Sequence, residues 1–173
     1  MRGCITKRNK TWAIVIDLGR DDTGRRRQRW QSGFTTKREA TAALTELLGR
    51  VQAGTYIEPS KRTLAVFLKE WLASMRATVR PSTWEAYRML AEVHIMPALG
   101  TVPLQRLTTA QLNALYADLL QKGRCDGKGG LSPRSVAYVH ATIRKALAEA
   151  VRWQVLTRNV ADQATPPRQQ PNG

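Results

Sequence analysis

Trp12-Ala13-Ile14-Val15-Ile16-Asp17-Leu18, then Gly19-Arg20-Asp21-Asp22-Thr23-Gly24, then Arg25-Arg26-Arg27-Gln28-Arg29-Trp30-Gln31-Ser32-Gly33-Phe34, decide how the first third of the chain folds. The first segment is β-branched and alternating, so Trp12, Ile14, Ile16 and Leu18 share one face of a strand. The second is a turn cluster, in which Asp-Asp-x-Gly suits the backbone of a hairpin. Arg25 to Phe34 reads as the returning strand. Its one aromatic in the middle, Trp30, is expected to face the core, with Arg25, Arg27, Arg29 and Gln31 on the opposite side. A short first strand around residues 3–7 is expected to pair alongside, with Ile5 inward.

Next comes Thr36-Lys37-Arg38-Glu39, a capping box in which the Thr oxygen and the Glu carboxylate take up free N–H groups at a helix start. Behind it Ala40, Ala43, Leu44, Leu47 and Val51 repeat at helical spacing, and Gly54 ends the run. One helix covers one face of the sheet. The other face is open, and four arginines within five positions, 25–29, carry no interleaved acid. A charge-blunted edge strand is one explanation of such a row. A sheet laid in a DNA groove, with arginines on phosphates and base edges, is the other, and the unmixed sign favours it.

The whole chain is basic. Its 173 residues hold 28 Lys and Arg against 13 Asp and Glu, a net charge of +15, and 42% of residues are hydrophobic. That apolar share excludes a disordered basic tail. The apolar runs are too short to span a membrane, and Met1–Lys7 is followed by no apolar stretch of a secretory signal. Cys4 and Cys125 lack disulfide density and zinc-ligand spacing, which points to a reducing, cytoplasmic setting. Residues 1–60 carry 12 basic and 6 acidic side chains, and residues 61–173 carry 16 and 7, so both halves are basic. A polyanion, and nucleic acid first among polyanions, is the expected partner.

Ile57-Glu58-Pro59-Ser60-Lys61-Arg62 is short, polar and broken by Pro59, and reads as a hinge. Beyond it the period becomes 3.6 throughout. Leu64, Phe67, Leu68, Trp71, Leu72 and Met75 make one amphipathic helix capped by Thr63. Ser82 and Glu85 predict a capping box for a second, whose apolar face is Trp84, Tyr87, Leu90, Ala91, His94 and Ile95 and which stops before Pro97. Thr108 and Gln111 box a third, with Leu112, Leu115, Tyr116, Leu119 and Leu120. A flexible glycine loop, 123–130, precedes a fourth, with Ser132 as cap and Pro133 at its first position. That last helix buries Val136, Val139, His140, Ile143, Leu147, Ala150 and Val151. Arg134, Tyr138, Ala141, Lys145 and Arg152 cluster on its other side, a stripe that is either a solvated face or a groove-facing one.

No chemistry stands beside this. The glycine loop lacks a preceding strand and a Gly-Lys-Ser/Thr ending, so it is no phosphate loop. His94 and His140 lie on apolar stripes and read as core histidines. The carboxylates are scattered, so no paired acids, metal cluster or cofactor site is expected. RNA is a weaker partner because most aromatics fall on core stripes rather than in stacking positions; a protein–protein adaptor suits this charge least.

Gly3-x-Ile5, Trp12, Gly19-Arg20-Asp21, Gly24-Arg25-Arg26-Arg27 and Gly33-Phe34-x-Thr36-Lys37-x-Glu39-Ala40 resemble the arm-binding domain of phage and mobile-element integrases. Thr83-x-x-x-Tyr87, Ile95-Met96-Pro97-Ala98-Leu99-Gly100, Leu107-Thr108, Leu131-Ser132-Pro133, Ala150-Val151-x-Trp153, Leu156 and Asn159 resemble the SAM-like core-binding domain of the same tyrosine recombinase family. Val160 departs from the pattern, which has Pro there. The resemblance implies an α+β chain: a small three-stranded antiparallel sheet packed on one helix in residues 1–57, a hinge at 58–62, an all-α four-helix SAM-like domain at 63–160, and from 161 to 173 a linker toward a catalytic domain for which the chain has no room. It implies sequence-specific binding of double-stranded DNA at arm-type and core-type attachment sites, within a recombinase that assembles as a dimer or tetramer on DNA and cuts through a phosphotyrosyl intermediate. No tyrosine here matches the nucleophile's context. A stand-alone DNA-binding regulator or directionality factor is the alternative. The residues expected at DNA are Arg8, Arg25, Arg27, Arg29 and Gln31 in the sheet, and Arg80, Ser82, Thr83, Arg88, Arg134, Tyr138 and Lys145 in the helices.

Overall fold

The computed structural model describes residues 3–20 and 23–168. The Asp21-Asp22 part of the expected turn, Met1-Arg2 and the end of the expected linker lie outside the described residues. The chain divides into two compact units, Met1–Tyr56 and Ile57–Gly173.

In the first unit, β1 (Gly3–Arg8), β2 (Thr11–Arg20) and β3 (Arg26–Phe34) form an antiparallel sheet in the order β1-β2-β3, and α1 (Lys37–Gln52) packs on it. The register sets Gly3 opposite Ile16 and Ile5 opposite Ile14, and on the other side of β2 sets Ile16 opposite Arg29 and Ile14 opposite Gln31. Directly opposed residues point to the same face. A Cβ placed on Gly3 would stand 2.5 Å from Leu44 Cδ1 of α1, so this is the face the helix covers. Helix entry matches its local signal: Thr36 accepts the Glu39 N–H at 3.2 Å and the Glu39 carboxylate accepts the Thr36 N–H at 3.3 Å. The Thr35 hydroxyl also donates to that carboxylate, and with the Thr36 and Thr35 N–H groups it holds the Glu39 carboxyl below its ordinary pKa.

Trp30 does not face the core. It pairs with Val15 on the uncovered side and is 51% exposed, whereas Arg29 and Gln31 share the helix-side face with Ile16 and Ile14. The cause is a bulge. Ala13 pairs with Ser32 but Trp12 pairs with Phe34, which leaves Gly33, at φ +104°, as the extra residue. One inserted residue reverses the parity of everything beyond it. Phe34 therefore joins Trp12 on the helix side, and Trp30, four residues earlier, points the other way.

The second unit is helical: α2 (Leu64–Met75), α3 (Pro81–Leu90), a π-helical turn (Ala91–Ile95) leading into α4 (Met96–Leu99), a 3₁₀ turn (Leu104–Arg106), α5 (Thr109–Lys122), α6 (Pro133–Arg152) and a 3₁₀ turn (Val160–Gln163). Leu64, Phe67, Leu68 and Trp71 of α2, Ile95, Leu112 and Tyr116, and Val136, Val139, Ile143 and Leu147 of α6 are all buried in one core. Burying each such side chain contributes roughly 1.5–3 kcal/mol. Thr63, Thr108 and Ser132 cap α2, α5 and α6, and Gln111 completes the box at Thr108.

Four local expectations are revised. Ser82 and Glu85 make no capping box: α3 begins two residues earlier, with Pro81 at its first position and Arg80 as N-cap without a side-chain bond. Proline suits that position because its missing N–H is not needed there. The helical path also does not stop before Pro97. The Met96 N–H reaches back five residues to Ala91 O, and this widened turn carries the backbone past the proline into α4. Residues 58–62, expected as a hinge, are bonded into the second unit: the Gln105 side chain accepts the Ser60 N–H, and Arg62 O accepts the Leu104 N–H. The start of the expected linker is likewise packed, since Ala161 is fully buried, Arg144 pairs with Asp162 at 2.7 Å, and Thr109 donates to Val160 O at 3.0 Å. The 123–130 loop closes on itself through Asp126, which accepts from Arg124 and from the Lys128 N–H.

Candidate nucleic-acid interface

In the first unit the uncovered sheet face consists of Cys4, Thr6 and Arg8 on β1, Ala13, Val15 and Asp17 on β2, and Arg26, Gln28, Trp30 and Ser32 on β3. Its centre is apolar, and Ala13 and Val15 there are buried. The Arg8 guanidinium lies over Trp30, 5.1 Å from the ring centroid. Arg26 Nε donates to Asp17 Oδ2 at 2.8 Å, and the Gly19 N–H donates to Asp17 Oδ1 at 3.1 Å. Both bonds favour the ionised acid, so the Asp17 carboxyl sits below its ordinary pKa. Arg26 is thereby oriented, with its charge compensated. Arg25 and Arg27 are exposed at the start of β3. The face thus offers a flat, half-exposed indole roofed by a cation, flanked by an amide and hydroxyls. Arg26, Gln28 and Trp30 were not among the residues expected to act. Strand parity was the signal that would have found them, and it required knowing of the bulge.

In the second unit α3 and α6 lie side by side. Lys145 Nζ donates to Tyr87 Oη at 3.2 Å and stands 5.3 Å from the Tyr87 ring centroid, which joins the two helices directly. Four residues apart on α6, Arg134 and Tyr138 also pair: Nε and Nη2 both lie 3.4 Å from the Tyr138 oxygen, and the bond raises the guanidinium pKa. Between the helices runs a groove of about 590 Å³ lined by Tyr87, Met89, Leu90, Leu131, Tyr138 and Ala141 among others. Met89 and Tyr138 are 45% and 54% exposed at its edge.

The expected helical site residues do not all share this arrangement. Arg134 and Tyr138 pair on α6, and Lys145, two turns further along, reaches Tyr87 of α3. Arg80 and Ser82 are exposed at the start of α3, and Thr83 is half-buried. Arg88 is held between two carboxylates: its guanidinium pairs with Glu85 and, at 2.8 Å, with Glu92. The first pairing lowers the Glu85 carboxyl pKa and raises that of Arg88. Its charge is spent on acids one turn before and one turn after it, a consequence of i,i+3 and i,i+4 neighbours.

The histidines are interior. His94 is buried, and half-buried His140 shares an Oη···Nδ1 hydrogen bond of 2.9 Å with Tyr116. Desolvation lowers the pKa of both rings and raises that of the Tyr116 hydroxyl. Among the described residues no three His, Cys, Asp or Glu side chains gather in a metal-holding group, and no helix is long and apolar enough to cross a membrane.

Comparison with known proteins follows the division of the chain. Residues 4–51 match the Arm DNA-binding domain, and residues 63–120 match the phage integrase N-terminal SAM-like domain. An integrase of Streptomyces ambofaciens is 30% identical over 165 residues, which are 95% of this chain and 40% of that protein. The chain therefore spans less than half the length of that relative. Among solved structures, the phage integrase SAM-like domain from Moorella thermoacetica is 36% identical with a TM-score of 0.53, covering 66% of this chain and 93% of that one. An integrase-like domain from Bacillus cereus superposes with a TM-score of 0.58 at 24% identity, over 67% of this chain and 92% of that one. A lambda integrase dimer bound to a core site shares the fold over 96% of this chain and 45% of its own, with a TM-score of 0.55 and 17% identity.

Proposed function

The chain belongs to the phage integrase family through both of its domains, and on that premise we propose that it is a double-stranded DNA-recognition module of an integrase, built to hold two DNA segments at once. The sheet unit takes arm-type sites through its uncovered face. Arg8, Gln28 and Trp30 enter the groove there, with Arg25 and Arg27 at the phosphates beside it. Arg29 and Gln31, on the helix-covered side, contribute less than their positions in the arginine run suggested. The helical unit takes the core-type duplex along α3 and α6. Arg80, Ser82 and Thr83 act at the start of α3, and Arg134, Tyr138 and Lys145 along α6, while Arg88 positions α3 through its acids rather than touching phosphate.

The observation that carries this reading is the uncovered sheet face. A large aromatic half-exposed on a sheet, under an arginine, in a chain of net charge +15, offers apolar surface and positive charge together to a partner. Duplex DNA suits both: its groove admits a β-sheet, and its phosphates match the charge. Attachment at two sites raises overall affinity by making the second contact intramolecular. In an integrase this module delivers the duplex to strand exchange in a dimer or tetramer.

The test is a salt titration on separate arm-type and core-type duplexes obtained by selection. The double variant Arg8→Ala, Trp30→Ala is expected to lose arm-type binding and keep core-type binding. Equal loss at both sites would refute the division of labour. An affinity independent of salt would refute DNA as the partner.

A further inference from the structure

The groove between α3 and α6 differs in chemistry from its rim. Among the described residues that line it there is no Asp, Glu, Lys or Arg. Its small polar side chains are engaged or sunk: Ser135 Oγ shares a hydrogen bond with Ser132 Oγ at 3.0 Å, and His94 and Thr142 are buried. What the groove presents outward is the Met89 thioether and the Tyr138 ring, both half-exposed, with Leu90 and Ala141 also in its lining.

The charge stands at two tyrosines of that lining. The Arg134 guanidinium lies against Tyr138, 6.0 Å from the ring centroid, and Lys145 Nζ donates to Tyr87 Oη at 3.2 Å. The other two cations of α6, Arg144 and Arg152, spend their charge on Asp162 and Glu149. Arg134 and Lys145 pair with no carboxylate among the described residues, so their charge is available to an anion.

These two cations stand eleven residues apart on α6, roughly 16 Å along the helix axis. The major groove of B-DNA is about 12 Å wide. Cations at this spacing fit phosphates on either side of a major groove, and the stretch between them, which carries Tyr138 and Ala141, then faces the base edges. Those edges present hydrogen-bonding groups and one apolar group, the C5 methyl of thymine. An apolar lining makes no hydrogen bonds with the former and gains from burying the latter. An unbranched thioether adapts to such a small group without a fixed geometry.

We propose that the groove between α3 and α6 reads thymine methyl groups, with Met89 and Tyr138 as the residues that set base preference on the core-type duplex. The inference rests on the reading of α3 and α6 as the helices that meet that duplex. It adds a selectivity that Arg134 and Lys145 do not supply, since phosphate contacts carry no sequence information.

The test uses the whole chain and a core-type duplex obtained by selection, with each thymine in turn replaced by deoxyuridine, which pairs identically and lacks only the methyl group. Fluorescence anisotropy should show one or two positions at which uracil lowers the affinity about fourfold, the effect of burying one methyl group. In Met89→Ala or Tyr138→Ala the thymine duplex should weaken and the uracil penalty at one of those positions should vanish; Met89→Leu, which keeps an apolar side chain, should retain it. In Met89→Ala the salt slope should equal that of the parent, because no phosphate contact is lost. Equal affinity for thymine and uracil duplexes at every position, or selected sites without a fixed thymine, would overturn the proposal while salt-dependent binding kept DNA as the partner. So would a uracil penalty that persists in both alanine variants. Failure to bind any duplex would remove the proposed function and this inference with it. A DNA-free dimer that Met89→Ala dissociates, seen by sedimentation, would assign the groove to a second copy of this chain instead.

Discussion

Arg8→Ala and Arg29→Ala, compared side by side, separate the two faces of the sheet. Arg8 lies on the uncovered face with its guanidinium over Trp30, and Arg29 sits in register with Ile16 on the side covered by α1. Removing one phosphate contact lowers the slope of log affinity against log salt by about 0.9, and extrapolated to 0.1 M salt that is roughly an eightfold loss, or about 1.2 kcal/mol. Arg8→Ala is expected to show this change and Arg29→Ala a slope within error of the parent. Folding should not confuse the comparison: an exposed cation–π pair contributes about 0.5–1 kcal/mol, so Arg8→Ala leaves the sheet folded. Fluorescence anisotropy with a labelled duplex, at several salt concentrations between about 0.05 and 0.3 M, measures the slope, and because the phosphate contribution is independent of sequence any duplex serves. The reverse result, a lower slope for Arg29→Ala and none for Arg8→Ala, would show that DNA meets the other side of β3 and would refute the assignment of faces.

Glu85→Gln with Glu92→Gln should free Arg88 and raise the salt slope on core-type DNA, because the guanidinium loses both carboxylates that now hold it; the same anisotropy titration reads it. Thr36→Ala should destabilise the sheet unit by about 1 kcal/mol through loss of the α1 cap, seen as a lower midpoint in urea. The helical unit should lose stability as pH falls from 7.5 to 5.5. Burial holds the pKa of His94 and His140 below the unfolded value of about 6.5, so the unfolded chain takes up protons first and protonation favours unfolding, which thermal melts at the two pH values would register. With a suicide duplex carrying a nicked crossover site, this chain should form no SDS-resistant adduct, since Tyr87 pairs with Lys145, Tyr116 with His140 and Tyr138 with Arg134, and the Tyr56 hydroxyl is buried.

Features that depend on a few neighbouring residues were readable in advance. The boxes at Thr36–Glu39 and Thr108–Gln111, the cap at Ser132 before Pro133, and the helical stripes of α2 and α6 form as the residue spacing predicts. Ser82–Glu85 carried the same signal and failed, because Pro81 moved the helix start by two residues and Arg88 took the Glu85 carboxylate. Local motifs compete, and the winner depends on what else reaches the same group. The site was legible in part. Arg134, Tyr138 and Lys145 are neighbours on α6 by periodicity, but the link from Lys145 to Tyr87 spans 58 residues and no spacing rule announces it.

Two domains, both basic, a three-stranded sheet with one helix and then a bundle of helices, follow from composition, alternation and period, because burying one face of each element demands those patterns. Which face of the sheet meets its partner does not follow. The bulge at Gly33 reverses the parity of β3, exposes Trp30 and turns Arg29 toward α1, and a bulge is fixed only when β2 and α1 pack against it. The same holds for Gln105. Its three bonds, to Ser60, Glu58 and Val155, help turn a polar, proline-broken stretch that reads as a hinge into part of the helical unit, since hydrogen bonds between segments some 50 residues apart exist only once the fold has closed.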